Sequence, residues 1–399
     1  MIHLHRAPFL VPVAAPLITD GAVLTENGLI LDAGRFADLR NTPGAVIIDH
    51  PGMILTPPLV NAHVHLELAH LAELGQMGTP ENFSEWIKSL LALREGKGVH
   101  GYFFEAWELL DSLSNSGVGL AADIGNLSES REIGVGKRVE VLFFLEMLGL
   151  SRQAAERNLQ QLDDLERENK DVSCTAHAPY STSANLLQAL KERARTRRQL
   201  FPIHTAESAD ELEFLRNGSG PLRDFVEKKG VWDGSFVPPG CSSVEYLDRL
   251  GLLDHLTLCV HCVQLSDEEI ELLSARRAKV CLCPGSNRYM GVGSPPVEKI
   301  LARNLLPALG TDSLASNPGC SIWEEMRILR EDHPGIDPAL VFAMATRGGA
   351  ESLGSTVYGA LHPGKAARFL AVEYGQGTER EVFEFITGIG NKVKIEWLE

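Results

Sequence analysis

Five histidines and one aspartate in this chain stand at the ends of apolar runs. His63 and His65 close TPPLVNAHVH, His177 follows VSCTA, His204 follows LFPI, His261 follows LTLCV, and Asp312 follows LLPALGT. On an extended strand residues i and i+2 share a face, so two imidazoles leave the first of these ends together. With 13 histidines in the chain a single His-x-His is weak evidence for a ligand pair. Random scatter would rarely place five histidines at strand ends. If the strands lie side by side, these side chains converge on one mouth. Three imidazoles and a carboxylate make a nitrogen and oxygen set for one divalent ion, Zn2+ or Fe2+. His63, His65, His204 and Asp312 are the candidate ligands. An open position on such an ion would hold water and bring its pKa toward neutrality, which is the chemistry of a hydrolase.

Other groups gather near these ends. Glu207 lies three residues past His204, placed to shuttle a proton; alternatively it is a first-turn acid of the helix that follows. His261 either ligates the ion or hydrogen-bonds the attacking water and polarises the substrate. His177 faces substrate or is structural. Glu146, ending the third strand-like run in LFFLEMLG, binds substrate or ligates a second metal. Ser313, next to Asp312, is counted with the substrate contacts. Glu67 and Trp86, in the long segment 66–100, belong where substrate selectivity is expected. Cys259 and Cys262 with Cys281 and Cys283 could form a four-thiolate zinc site. Both pairs lie within apolar strands, where alternate residues face opposite sides, so buried thiols are the better reading.

The elements that must carry these groups alternate from about residue 56 onward. Apolar strand-like runs cover 54–65, 117–124, 139–145, 172–176, 200–204, 256–261, 279–283 and 306–310. Helix-like segments with 3.6 periodicity cover 83–94, 102–115, 152–169, 183–193, 209–216, 243–253, 266–275 and 323–331. Capping residues such as Ser266, with Glu269 three positions on, open several of them. Eight strands alternating with helices predict an α/β fold with a parallel sheet, and eight is the count of a closed (β/α)8 TIM barrel. The first 55 residues read as short strands and no helix, over 10–18, 22–24, 28–31 and 45–48, with Asn27-Gly28 as a hairpin turn. The tail returns to β character over 368–372, 382–386 and 393–397. Both termini together are expected to build one small β domain, 1–55 with 356–399, beside a barrel of 56–355. The insertion 66–100, after the first barrel strand, is a natural lid.

Composition restricts the function classes. The chain has 399 residues, 44% of them apolar and 23% charged, ordinary for a globular protein. Its formal charge of −16 argues against nucleic acid and anionic membrane surfaces as partners. No apolar run reaches the roughly 20 residues of a membrane span. Pro8, Pro12 and Pro16 interrupt the apolar N-terminus, against a secretory leader. Seven cysteines, an odd number and mostly in apolar runs, predict reduced thiols and a cytoplasmic setting.

Taken jointly, LVNAHVHLE (59–67), HAPYS (177–181), HTAES (204–208), VHCVQLSDEE (260–269), CPGSN (283–287) and GTDSLASN (310–317) resemble the amidohydrolase superfamily, in its cytosine deaminase and chlorohydrolase-like branch. DGAVLTENGLILDAG (20–34) and LHPGK (361–365) resemble the composite β-sandwich of that family. The resemblance implies a TIM barrel, one metal ion on His63, His65, His204 and Asp312, and Glu207 and His261 as catalytic partners. It implies that Asp312 also takes a proton from the metal-bound water and that His177 contacts substrate. Branches with two metals carry a carboxylated lysine where His177 stands, so a mononuclear site is implied. Two departures, Pro57-Pro58 for Pro-Gly and Arg368 where an acid is common, concern packing. NFSEWIKSLL (82–91), FLEMLG (144–149) and GTDSLASN resemble the aminodeoxyfutalosine deaminases of the menaquinone pathway. The S-adenosylhomocysteine and methylthioadenosine deaminases share part of this pattern.

The function expected is therefore hydrolytic deamination of a small aminated heterocycle, at the 6-amino group of an adenosine-type nucleoside. Chlorohydrolase, guanine deaminase and cytosine deaminase activities keep the same site. A non-catalytic scaffold predicts missing ligands, yet every ligand type is present. The family's habit also makes a homodimer the expected assembly.

Overall fold

The computed structural model describes residues 1–98, 102–168 and 172–399. The chain opens with β1 (Ile2–Leu10), β2 (Ile18–Glu26), β3 (Leu29–Arg35), β4 (Ala45–Asp49) and β5 (Met53–Thr56). Eight further strands follow: β6 (Leu59–Val64), β7 (Val118–Gly125), β8 (Glu140–Met147), β9 (Ser173–Ala176), β10 (Phe201–Thr205), β11 (Thr257–His261), β12 (Lys279–Leu282) and β13 (Ala308–Leu309). The tail adds β14 (Phe369–Glu373) and β15 (Ile395–Leu398).

The termini meet in one seven-stranded sheet of order β15-β14-β5-β1-β2-β3, with β4 also paired to β1. The sandwich implied by the resemblance thus takes the form of a single hydrogen-bonded sheet. Asn27 and Gly28 both have positive φ, 51° and 78°, as a two-residue hairpin between β2 and β3 requires. Three expected elements differ. The expected strand 10–18 is the bend between β1 and β2, where Pro12 and Pro16 cannot donate to a ladder. Phe36–Leu39 is a short helix where none was expected. The expected tail strand 382–386 is the helix Val382–Gly388, whose Val382 and Ile386 are buried on one face.

β6 to β9 form one parallel sheet and β10 to β13 another. Both seams carry backbone bonds. Asp312 and Thr311 donate to the His63 carbonyl at 3.1 and 3.0 Å, and His204 donates to the His177 carbonyl at 2.9 Å. The expected first strand, 54–65, is two strands. Pro57-Pro58 supplies no N–H, so the ladder breaks there: β5 stays in the terminal sheet and β6 starts beside β7. Neighbouring residues of one strand enter different apolar clusters. Leu120 and Ala122 join Val260 and Cys281, whereas Ala121 joins Cys259, Val280 and Leu282. Such strands are apolar on both faces, as parallel strands under helices must be.

The helices start where the caps predict. Ser242 with Glu245 and Ser266 with Glu269 form reciprocal capping boxes. The segment after β6 contains the turn Leu66–Leu71 and the helix Phe83–Lys97. Residues 99–100 of the expected lid, and residue 169 of the expected helix 152–169, lie outside the described residues.

Candidate metal centre

Every strand-end group named above reaches the same end of the parallel strands. His63 Nε2 lies 3.2 Å from His204 Nε2, and His65 Nε2 lies 3.4 Å from the same atom. Asp312 Oδ1 is 3.7 Å from His63 Nε2 and 3.5 Å from His65 Nε2. One donor atom from each of the four residues falls within 4.8 Å of the others, and all four side chains are buried.

Hydrogen bonds aim these donors inward. His65 Nδ1 donates to the Ile124 carbonyl at 2.9 Å, and His204 Nδ1 donates to the His177 carbonyl at 2.9 Å. A carbonyl only accepts, so each ring keeps its proton on Nδ1 and turns an Nε2 lone pair to the centre. Two facing lone pairs cannot bond each other; a cation between them resolves the contact. Asp312 Oδ2 accepts from Ser286 Oγ at 2.7 Å and Ser316 Oγ at 2.8 Å, leaving Oδ1 for the centre. The backbone is bent to present these groups. Asp312, His261 and Ala206 have φ of 57°, 72° and 53°, left-handed values that cost of order 1–3 kcal/mol each and persist where the surroundings enforce them.

Electrostatics leave the centre ready for a cation. Burial drives the His63 imidazole well below its ordinary value and His204 down to about 4, so both are neutral. Burial lowers His65 as well, but Asp312, Glu146, Asp123 and Glu67 outweigh it and raise it on balance. Burial would raise Asp312, yet the surrounding histidines hold it well below the carboxylate range. The donor set is thus ligand-competent and fits one borderline divalent ion.

Glu207 Oε1 sits 3.6 Å from His261 Nε2. Burial, with the charges of Asp312 and Glu211, pushes the Glu207 carboxyl well above its ordinary value. Its loop is held by Glu211, which accepts from the Ala206 and Glu207 amides at 3.0 and 2.8 Å. His261 Nδ1 donates to Asn287 Oδ1 at 2.9 Å, and its Nε2 is buried without a hydrogen-bond partner among the described residues.

The remaining predicted residues divide. His177 and Glu146 lie against His204, with the His177 and His204 ring centroids 4.8 Å apart. Ser313 is buried beside Ser316, 3.3 Å between hydroxyl oxygens. Trp86 donates to the Ala315 carbonyl at 3.1 Å and packs the helix Phe83–Lys97 onto the loop after β13. The Glu67 carboxylate is saturated by protein: Arg94 at 3.1 Å, the Asn126 amide at 2.8 Å, and the Leu127 amide and Ser130 hydroxyl at 3.3 Å each. It ties the helix Phe83–Lys97 to the end of β7. The seven cysteines are buried and free, and among the described residues none joins a metal-holding group.

Several positioning residues carry no strand-end signal. Ser286, Asn287 and Ser316 lie inside the CPGSN and GTDSLASN motifs without a role readable there. Asn61 bonds Thr311, 250 residues away, at 2.8 Å, and so fastens the two seam ends. Asp123 accepts from the Leu66 amide at 2.9 Å, and burial raises its carboxyl to about 7.

The model of the amidohydrolase family matches residues 54–394. The chain belongs to the amidohydrolase family. It is 27% identical to an aminodeoxyfutalosine deaminase of Deinococcus radiodurans over 84% of this chain and 81% of that protein. It is 27% identical to a 5-methylthioadenosine/S-adenosylhomocysteine deaminase of Pyrococcus abyssi, over 83% of this chain and 77% of that one. The structure of Helicobacter pylori aminofutalosine deaminase, in complex with methylthio-coformycin, superposes with a TM-score of 0.84 at 20% identity, over 96% of each chain. That likeness shows the shared fold of this amidohydrolase. No helix among its described residues is long and apolar enough to cross a membrane.

Proposed function

We propose that this amidohydrolase removes the 6-amino group of an adenine-type nucleoside by hydrolysis, releasing ammonia. The observation that carries the reading is one acid and one histidine, Glu207 and His261, set 3.6 Å apart beside the four-donor centre. The relatives named above, deaminases of aminodeoxyfutalosine and of 5-methylthioadenosine and S-adenosylhomocysteine, support a nucleoside altered at its 5′ end.

His63, His65, His204 and Asp312 would hold one divalent ion, Zn2+ or Fe2+. A divalent ion there supplies Lewis acidity and lowers the pKa of water toward neutrality. Glu207, whose hold on a proton is strengthened by burial, donates a proton to the ring nitrogen beside the attacked carbon. His261 offers Nε2, which lacks a hydrogen bond among the described residues, to the attacking water and stabilises the charge that develops. Asp312 takes a proton from that water and returns it to the departing amine. His177 and Ser313 border the substrate, and Trp86 helps close the mouth. Glu67 acts by holding the lid helix.

The two parallel sheets, bonded at both seams, support one eight-stranded barrel of residues 56–355, with the terminal sheet as a separate unit of 1–55 and 356–399. The buried free thiols support a cytoplasmic setting. The test is ammonia release by the zinc-loaded protein from adenosine, 5′-deoxyadenosine, methylthioadenosine, S-adenosylhomocysteine and aminodeoxyfutalosine. Turnover of one or more is expected. No release from any of them overturns the assignment.

A further inference from the structure

Glu146 is the penultimate residue of β8, its side chain 6% exposed. Its Oε2 accepts from Asn126 Nδ2 at 2.9 Å, and Asn126 Oδ1 in turn accepts from Arg94 at 2.8 Å. Its Oε1 is buried and has no hydrogen-bond partner among the described residues. The nearest cationic candidate, His204 Nδ1, stands 3.8 Å away with its proton directed to the His177 carbonyl. His177 has its Nδ1 on Ser181 Oγ at 2.7 Å. A carboxylate oxygen in a nearly dry pocket, fixed by its twin and lacking a donor, is costly unless a ligand supplies one.

Glu146, His177 and His204 also have donor atoms within 4.8 Å of one another, the spacing of a second metal site. The proton on His204 Nδ1 argues against that. A cation there would have to displace it and break the bond to His177.

A neutral hydrogen-bond donor from the substrate fits this oxygen, and an adenine nucleoside has few. Its ring nitrogens N1, N3 and N7 accept, and its amino group is the part that leaves. The donors that remain are the sugar hydroxyls. Resting on the deaminase reading, we infer that Glu146, oriented by Asn126, binds a ribose hydroxyl and selects ribonucleosides over deoxyribonucleosides.

The experiment compares adenosine with 2′-deoxyadenosine and 3′-deoxyadenosine on the zinc-loaded enzyme. Wild type should favour adenosine by about 10- to 100-fold in kcat/KM over at least one of them, the size of a hydrogen bond to a charged acceptor. In Glu146→Gln that ratio should fall to about 1. Asn126→Ala, which frees Oε2 and leaves the carboxylate in place, should lower the same ratio. An unchanged ratio in a folded Glu146→Gln overturns the inference, and so does a second metal equivalent lost with Glu146. Binding of inosine and its two deoxy forms separates the two failures. If no nucleoside is turned over, a ribose preference in binding that Glu146→Gln abolishes still carries the subsite. No such preference overturns it.

Discussion

Asp312 holds the centre through one oxygen and is itself held through the other. Ser286 and Ser316 donate to Oδ2 at 2.7 and 2.8 Å, and both serines are buried. A hydrogen bond to a charged group contributes about 1.5–3 kcal/mol, and tenfold in an equilibrium constant is about 1.4 kcal/mol. Part of that is recovered when one hydroxyl remains, because the two share a single acceptor. Removing a partner that orients a ligand typically costs 10- to 100-fold in metal affinity or activity. We therefore expect Ser286→Ala to weaken Zn2+ binding by about tenfold and Ser286→Ala with Ser316→Ala by about 100-fold. The hydroxyls favour the charged form of Asp312. Their loss should move the acid limb of metal binding to higher pH, since binding needs the carboxylate. The assay is competition for Zn2+ against a chromophoric chelator across pH, with ammonia release measured at low and saturating Zn2+. Excess Zn2+ should restore part of the activity. A double variant with wild-type affinity and an unmoved acid limb would refute the claim that these serines aim Asp312.

Glu207→Gln should keep its metal and lose about 10²- to 10⁴-fold in ammonia release, the range of general acid catalysis; full turnover would remove the proton-donor role. Asn287→Ala frees the His261 ring to change tautomer, so kcat should fall about 10- to 100-fold with zinc content unchanged by elemental analysis. At Gly310 an added Cβ would stand 2.7 Å from His63 Cβ and 2.9 Å from Cys281 Sγ. Gly310→Ala should therefore destabilise the fold by about 1–3 kcal/mol in urea unfolding, with weaker metal binding. Burial raises the Glu325 carboxyl from 4.5 to about 8. The folded chain thus holds that proton more tightly than the unfolded chain. Stability should fall as pH rises through that window, and Glu325→Gln should flatten the fall in metal-free protein.

Much of the site was legible because strand ends write themselves into a sequence. An apolar run that stops at a histidine or an aspartate announces both a buried strand and a polar end, and five such stops converge at the centre. The partners of these groups were not legible. Ser286, Ser316, Asn287 and Asn61 are short polar residues in loops or mid-strand, where nothing in spacing separates a clamp from a turn residue. Glu67 looked like a substrate contact because it follows His65. Only the arrival of Arg94 and the 126–130 loop shows that its oxygens are occupied.

The amino-acid order by itself determined the strand and helix alternation, the hairpin at Asn27-Gly28, and the residue types fit for a divalent ion. These depend on neighbours a few positions apart. The tertiary structure decided what depends on contacts across 100 residues or more. It split the first expected strand at Pro57-Pro58, because only the packed chain gives each half a different sheet to join. It made 382–386 a helix, because Val382 and Ile386 are buried in the apolar cluster that also holds Leu113 and Val118. It also set His63 Nε2 3.2 Å from His204 Nε2, 141 positions apart, a distance imposed by the seams of two sheets.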